Sequence, residues 1–165
     1  MTTPTSASEL LKRLADAMRP QVTAATVLVG IHTGGVWIAE RLHQMLRLEA
    51  RMGSIDVSYH RDDHHLGGGK SGGRASQLPF DVEGAHVVIV DDVLATGRTI
   101  RAAMNELFDY GRPARIDLAV LIDRGGRELP IAATWCGETV RLPASQTLEL
   151  ARNDKGELDF RVIEK

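Results

Sequence analysis

A single cysteine, Cys136, gives this 165-residue chain no means of forming an internal disulfide, which fits a reducing compartment. No apolar run approaches the ~20 residues of a membrane helix. The first eight residues are small and polar, without the basic start and apolar centre of a secretory leader. The expected address is therefore the cytoplasm. An excess of positive charge is missing too. The 20 Lys and Arg against 22 Asp and Glu leave a net charge of −2, so there is no global basic field of the kind many nucleic-acid binders carry. Binding to RNA would have to rest on a local basic patch. Nothing resembles an RRM or KH motif, no internal repeat is visible, and no Ser–His or Cys–His pattern marks a covalent nucleophile. The length fits one domain over residues 1–165, enough to bury about 70% of the unfolded surface.

The most informative stretch is Val87-Val88-Ile89-Val90-Asp91-Asp92-Val93-Leu94-Ala95-Thr96-Gly97-Arg98-Thr99. Four apolar residues read as a short strand buried on both faces. Two carboxylates follow where that strand is expected to end, then a small, hydroxyl-rich turn, then an amphipathic helix. A turn that opens a helix offers backbone N–H groups and the positive end of the helix dipole, which suits a phosphate. Thr96 and Thr99 add hydroxyls, and Gly97 allows close backbone approach. Acidic side chains beside a phosphate cradle repel it, so Asp91 and Asp92 need another task. Holding ribose 2′- and 3′-hydroxyls, with Mg²⁺ offsetting the charge, is such a task.

Around this stretch the periodicity predicts alternating strands and helices. Ser8 is expected to cap a helix with a stripe of Leu10, Leu11, Leu14, Ala17 and Met18, stopped by Pro20. A strand over residues 26–31, the turn His32-Thr33-Gly34-Gly35 and a helix over 36–48 follow, the helix facing inward through Ile38, Leu42, Met45 and Leu46. A strand is expected over 55–59, the central strand over 86–90, a helix over 99–110 (Ile100, Met104, Leu107, Phe108) and a strand over 116–122. Short strands and a hairpin around Asn153-Asp154-Lys155-Gly156 close the chain. The expected fold is α/β: a twisted, mostly parallel sheet flanked by helices. Right-handed crossovers would bring the loops 32–35, 91–99 and 123–130 to one sheet edge, where ligands bind.

The thirteen-residue stretch resembles the PRPP (phosphoribosyl pyrophosphate) signature of type I phosphoribosyltransferases. Tyr110-Gly111-Arg112-Pro113 and Ile122-Asp123-Arg124-Gly125-Gly126-Arg127-Glu128-Leu129-Pro130 narrow the resemblance to the PyrR family. That resemblance implies a type I phosphoribosyltransferase fold with a small hood, about residues 131–145 with the C-terminal tail, and a lid loop at about 60–84. It implies uracil phosphoribosyltransferase activity, uracil + PRPP → UMP + pyrophosphate, with Mg²⁺ as cofactor. Asp91 and Asp92 would hold the ribose, and through substrate the metal. Val93, Leu94, Ala95, Thr96, Gly97, Arg98 and Thr99 would hold the 5-phosphate, and His32, Thr33 and Gly34 the pyrophosphate. Arg61, Asp123 and Arg124 would line the active site, with Arg127 adding charge there or serving a subunit contact. Trp135 would stack on the base, and Cys136 would offer main-chain hydrogen bonds. PyrR-like sequences often carry a Lys and an Arg where this chain has His32 and Gly34, which leaves less fixed positive charge for pyrophosphate.

The resemblance also implies a homodimer or larger homo-oligomer. It opens a second reading: a regulator of pyrimidine genes that senses UMP or UTP and binds leader mRNA as a transcriptional attenuator, with weak or no catalysis. Lys12, Arg13, Arg19, Arg47, Arg51, Arg112 and Arg115 are the basic residues available for that role. A phosphoribosyltransferase for hypoxanthine or guanine is a third reading, opposed by the Asp-Arg-Gly-x-Arg-Glu-Leu-Pro segment. Residues 60–78 hold three weaker patterns. The glycines of 67–72 match a dinucleotide fingerprint in letters only, and Gly69-Lys70-Ser71 lacks the Walker A glycine because position 64 is His64. His60, His64 and His65 with Asp62 and Asp63 make a poor rigid metal site in a glycine-rich loop. A mobile lid is the favoured reading, since phosphoribosyl transfer must exclude water.

Overall fold

The computed structural model describes residues 5–57 and 75–165. Its centre is a five-stranded, all-parallel sheet in the order β2-β1-β3-β4-β5. The strands are β1 (Val27–Ile31), β2 (Gly53–Ile55), β3 (His86–Leu94), β4 (Arg115–Asp123) and β5 (Trp135–Thr139). Runs such as Val-Leu-Val-Gly-Ile in β1, buried at every position, are what a sheet covered on both faces requires. Helices α1 (Ala7–Met18) and α2 (Gly34–Leu46) cover one face with Leu28, Val88, Val90, Ala119 and Leu121. Helix α3 (Arg98–Phe108) covers the other, with Val29, Ile31, Val87, Ile89, Leu118 and Val120. Neighbouring residues of β3 and β4 thus feed different cores, as strand alternation demands.

The α/β architecture and the parallel sheet match the expectation from sequence; the element ends differ. Ser6, not Ser8, caps α1, its Oγ accepting from the Glu9 amide at 3.3 Å. Ala17 lies at the border of the apolar stripe and is exposed, while Ala15 is buried. Helix α2 begins two residues earlier than expected and turns Gly35 and Ala39, rather than Met45, inward. Arg47 closes α2 in the left-handed conformation. Strand β3 runs four residues past the expected end, because β4 continues to pair with it at Asp91↔Val120, Val93↔Ile122 and Leu94↔Asp123. At the end of α3, Phe108, and just past it Tyr110, lie outside the core, 57% and 53% exposed. Of the lid expected over 60–84, residues 60–74 lie outside the described ones; Gln77 forms an isolated bridge to Ser54.

The hood was expected at about 131–145 with the C-terminal tail, and the two parts differ. Residues 135–139 form β5, hydrogen-bonded to β4 within the main sheet. The separate two-stranded piece is the antiparallel hairpin of β6 (Gln146–Arg152) and β7 (Leu158–Glu164). Its turn is the one expected at Asn153–Gly156, with Asn153 Oδ1 accepting from the amides of Lys155 and Glu157. Leu148 and Leu150 pack the hairpin into the α1–α2 core.

Candidate functional site

Because the sheet is all parallel, the carboxyl ends of β1, β3, β4 and β5 share one edge, with Leu94 level with Asp123 and Asp123 level with Thr139. The loops after these strands form a crevice, as expected from sequence. At its β1 end, His32, Thr33 and Gly34 open α2, and the His32–Thr33 peptide bond is cis. They line a cavity of about 370 Å³ together with Asp91, Asp92, Trp37 and residues 148–150 of the hairpin. The structure thus unites the first loop and the acid pair, which are some sixty residues apart in sequence.

The two carboxylates turn back on the strand that carries them. Asp91 Oδ1 accepts from the Asp92 amide at 2.9 Å, and Asp92 Oδ1 from the Val93 amide at 2.8 Å. Asp91 is buried and Asp92 partly so. The Asp92 carboxylate lies against Gly34, and a methyl group there would collide with it. That contact explains the missing side chain at position 34: it leaves room for Asp92 at the positive end of α2.

The turn expected to hold phosphate follows. Gly97 caps α3 with φ +94° and no side-chain cap. Thr96 Oγ1 accepts from the Arg98 amide at 3.1 Å. The turn is stitched to the loop after β4: Thr96 O accepts from the amides of Glu128 and Leu129, Leu94 O from that of Arg124, and Arg98 Nε donates to Glu128 Oε1 at 2.8 Å. Amides in the first turn of a helix need partners, and an anion in this turn supplies them.

Over the ends of β4 and β5 a second cavity, about 490 Å³, is lined by residues 123–127 and 139–142. Arg127 organises it. Its guanidinium grips both oxygens of Asp123 and donates to Ala95 O in the phosphate turn at 2.9 Å, while its Nε donates to Ile131 O. Hydrogen bonds from Arg127 hold the Asp123 carboxyl below the usual range; burial opposes this, and the Gly125 amide and the Arg127 charge reinforce it. Arg124 turns away to the hairpin, donating to Thr147 Oγ1 at 3.0 Å and Gln146 O at 2.9 Å.

Trp135 does not stand where its expected stacking role requires. It opens β5, level with Ala119 in the middle of β4, and is buried in the α1–α2 core. The crevice lies at the other end of β5. Cys136 pairs with Val120 below the crevice and is exposed, its thiol meeting Glu138 O at 3.2 Å. The residues of this segment that reach the crevice are 139–142. Sequence reading missed them because strand register, not residue type, selects them. It also missed Trp37, whose only sequence signal was its place in the turn after His32-Thr33. Arg61 lies outside the described residues. No cluster of three or more His, Cys, Asp or Glu fit to hold a metal occurs among the described residues.

The phosphoribosyl transferase domain family matches residues 7–141. A curated relative from Pseudomonas paraeruginosa, "Bifunctional protein PyrR", is 47% identical over 147 residues, covering 87% of this chain and 86% of its own. A Ralstonia nicotianae protein of the same name is 51% identical over 129 residues, covering 78% and 74%. Among solved structures, a purine phosphoribosyltransferase from Pyrococcus horikoshii superposes with a TM-score of 0.61 at 24% identity, covering 81% of this chain and 82% of its own. A Staphylococcus aureus hypoxanthine phosphoribosyltransferase gives 0.63 at 21% identity, covering 85% and 77%. At these identities the two structures bear on the fold.

Proposed function

The chain belongs to the phosphoribosyl transferase domain family, and within it to the PyrR family; from that premise we propose that it transfers the phosphoribosyl group of PRPP to uracil, giving UMP and pyrophosphate. The observation that carries this reading is the order of groups along the sheet edge. The His32–Gly34 loop follows β1, the acid pair and phosphate turn end β3, and the second cavity lies over β4 and β5. A displacement at C1′ needs leaving group, sugar and nucleophile in that order, and positioning of this kind is a large part of catalysis.

Asp91 and Asp92 hold the ribose hydroxyls, and their charge favours the cationic character that C1′ gains as pyrophosphate departs. Amides of residues 95–99 and the hydroxyls of Thr96 and Thr99 hold the 5-phosphate. The first turn of α2, Thr33 and His32 face the pyrophosphate. Two carboxylates lining one cavity, without an all-protein cage, suit Mg²⁺, which binds through one or two carboxylates plus substrate oxygens and keeps several waters. When bound, it neutralises the charge developing on the pyrophosphate. No helix of the described residues is long and apolar enough to cross a membrane; the family supports work in the cytoplasm and a homo-oligomer.

The relatives are bifunctional by name, and this supports a second role here in regulating pyrimidine genes through leader mRNA, with UMP or UTP as effector. The basic surface named from sequence is partly consumed: Arg13 pairs with Glu9, Arg19 with Asp16 and Arg115 with Asp117. Catalysis is therefore the leading reading. A UMP-forming assay with Mg²⁺, PRPP and uracil tests it beside Asp91→Asn/Asp92→Asn. The parent is expected to turn over and the double variant to fall on the order of 100-fold or more. A parent that binds PRPP or UMP without making UMP moves the regulator to first place, and steeply salt-dependent binding of leader RNA is its signature.

A further inference from the structure

The cavity over β4 and β5 is more positive than negative. Its charged lining is one carboxylate, Asp123, and three guanidiniums, Arg124, Arg127 and Arg141. Arg127 is neutralised by Asp123. Arg124 is held toward the hairpin by Thr147 and Gln146. Arg141 is exposed, and no hydrogen bond or ion pair engages its side chain among the described residues. It lies two residues past the end of β5, after Val140, whose amide donates to Asp123 O at 2.9 Å. Strands lie ~4.8 Å apart, so β5 stands roughly 14 Å across the sheet from β1 and the His32–Gly34 loop. Arg141 is thus placed at the nucleophile's end of the crevice, not at the pyrophosphate's.

A neutral pyrimidine-2,4-dione is a weak nucleophile, because the N1 lone pair is delocalised into the ring carbonyls. Its strength comes as the N1 proton leaves for solvent and negative charge spreads onto O2 and O4. N1 then forms the bond to C1′, and the C1′–O bond breaks with its electron pair departing on pyrophosphate. A guanidinium is a fixed fork of donors without an acceptor, suited to an oxygen that gains negative charge. We propose that Arg141 contacts a carbonyl oxygen of the pyrimidine and favours its N1-deprotonated form, making it a catalytic residue for the base half of the reaction. This rests on the uracil phosphoribosyltransferase reading above.

The test compares uracil with 5-fluorouracil, whose fluorine makes the N1–H more acidic, in the parent, Arg141→Ala and Arg141→Lys. Arg141→Ala is expected to lower kcat/KM for uracil on the order of 100-fold and that for 5-fluorouracil much less, with the KM for PRPP unchanged. Arg141→Lys, which keeps the charge, should recover most of the loss. An equal loss with both bases, or no loss, overturns the assignment while leaving the reaction standing. A parent inactive on both bases overturns the reaction, and the assignment with it.

Discussion

Gly97 is held by two constraints at once. Its φ of +94° is costly for any residue with a side chain, and an added Cβ would lie 2.9 Å from Ile131 Cγ1. Gly97→Ala is expected to cost about 1–3 kcal/mol, read as a lower urea midpoint, and to weaken PRPP binding by displacing the turn. At the opposite edge of the sheet, Asp117 is buried among His86 Nε2 at 2.7 Å, Arg115 Nε at 2.8 Å and Thr134 Oγ1 at 3.0 Å. Burial pushes its carboxyl up, but the hydrogen bonds from His86, Arg115 and Thr134 and the Arg115 charge outweigh it and hold the pKa below the usual value. A depressed carboxyl contributes stability that is full above its unfolded pKa, near 3.9, and is lost as pH falls through the folded value. Urea melts from pH 6 down to pH 2 should therefore show part of the acid-side loss of stability disappear in Asp117→Asn, which is less stable than the parent at pH 6.

Among the elements, α1 shows how much tertiary packing supports a helix. Leu10 is fully buried and lies against Gly137 of β5, 3.3 Å from where a Cβ on that glycine would sit. Leu10→Ala should cost about 2–5 kcal/mol, measured by chemical unfolding. Leu10 lines neither the cavity at the acid pair nor the one over β4 and β5, and the PRPP affinity of the folded variant should stay near that of the parent. Strand β3 is the converse case. Its apolar run was legible, but its continuation through Asp91 and Asp92 was not, because carboxylates are poor strand residues on their own. The ladder to β4 and two side-chain-to-backbone hydrogen bonds keep them in the strand.

For the molecule as a whole, the site is assembled from four strand ends, the start of two helices and the β6–β7 hairpin, so ligand binding should stabilise all of it together. PRPP with Mg²⁺ at a hundredfold its Kd contributes ~2.7 kcal/mol, which raises Tm by roughly 5–10 °C for a chain of this size. Thermal melts should show this rise in the parent and its near-absence in Asp91→Asn/Asp92→Asn. A rise retained by the double variant would move PRPP binding away from the acid pair.

The amino-acid sequence by itself determined what local chemistry can write. The α/β class followed from apolar runs alternating with amphipathic stretches, and the family from the motifs of residues 87–99 and 122–130; Thr96-Gly97-Arg98-Thr99 marked the turn proposed to hold phosphate. Tertiary structure decided which of these residues meet. Parallel register set β5 in the main sheet and Trp135 in the core, four residues short of the crevice. It turned Arg124 to the hairpin and gave Arg127 the link between Asp123 and the phosphate turn. These outcomes depend on contacts between segments far apart in the chain, and a period of two or of 3.6 fixes which face a residue takes on its own element but not what that face will meet.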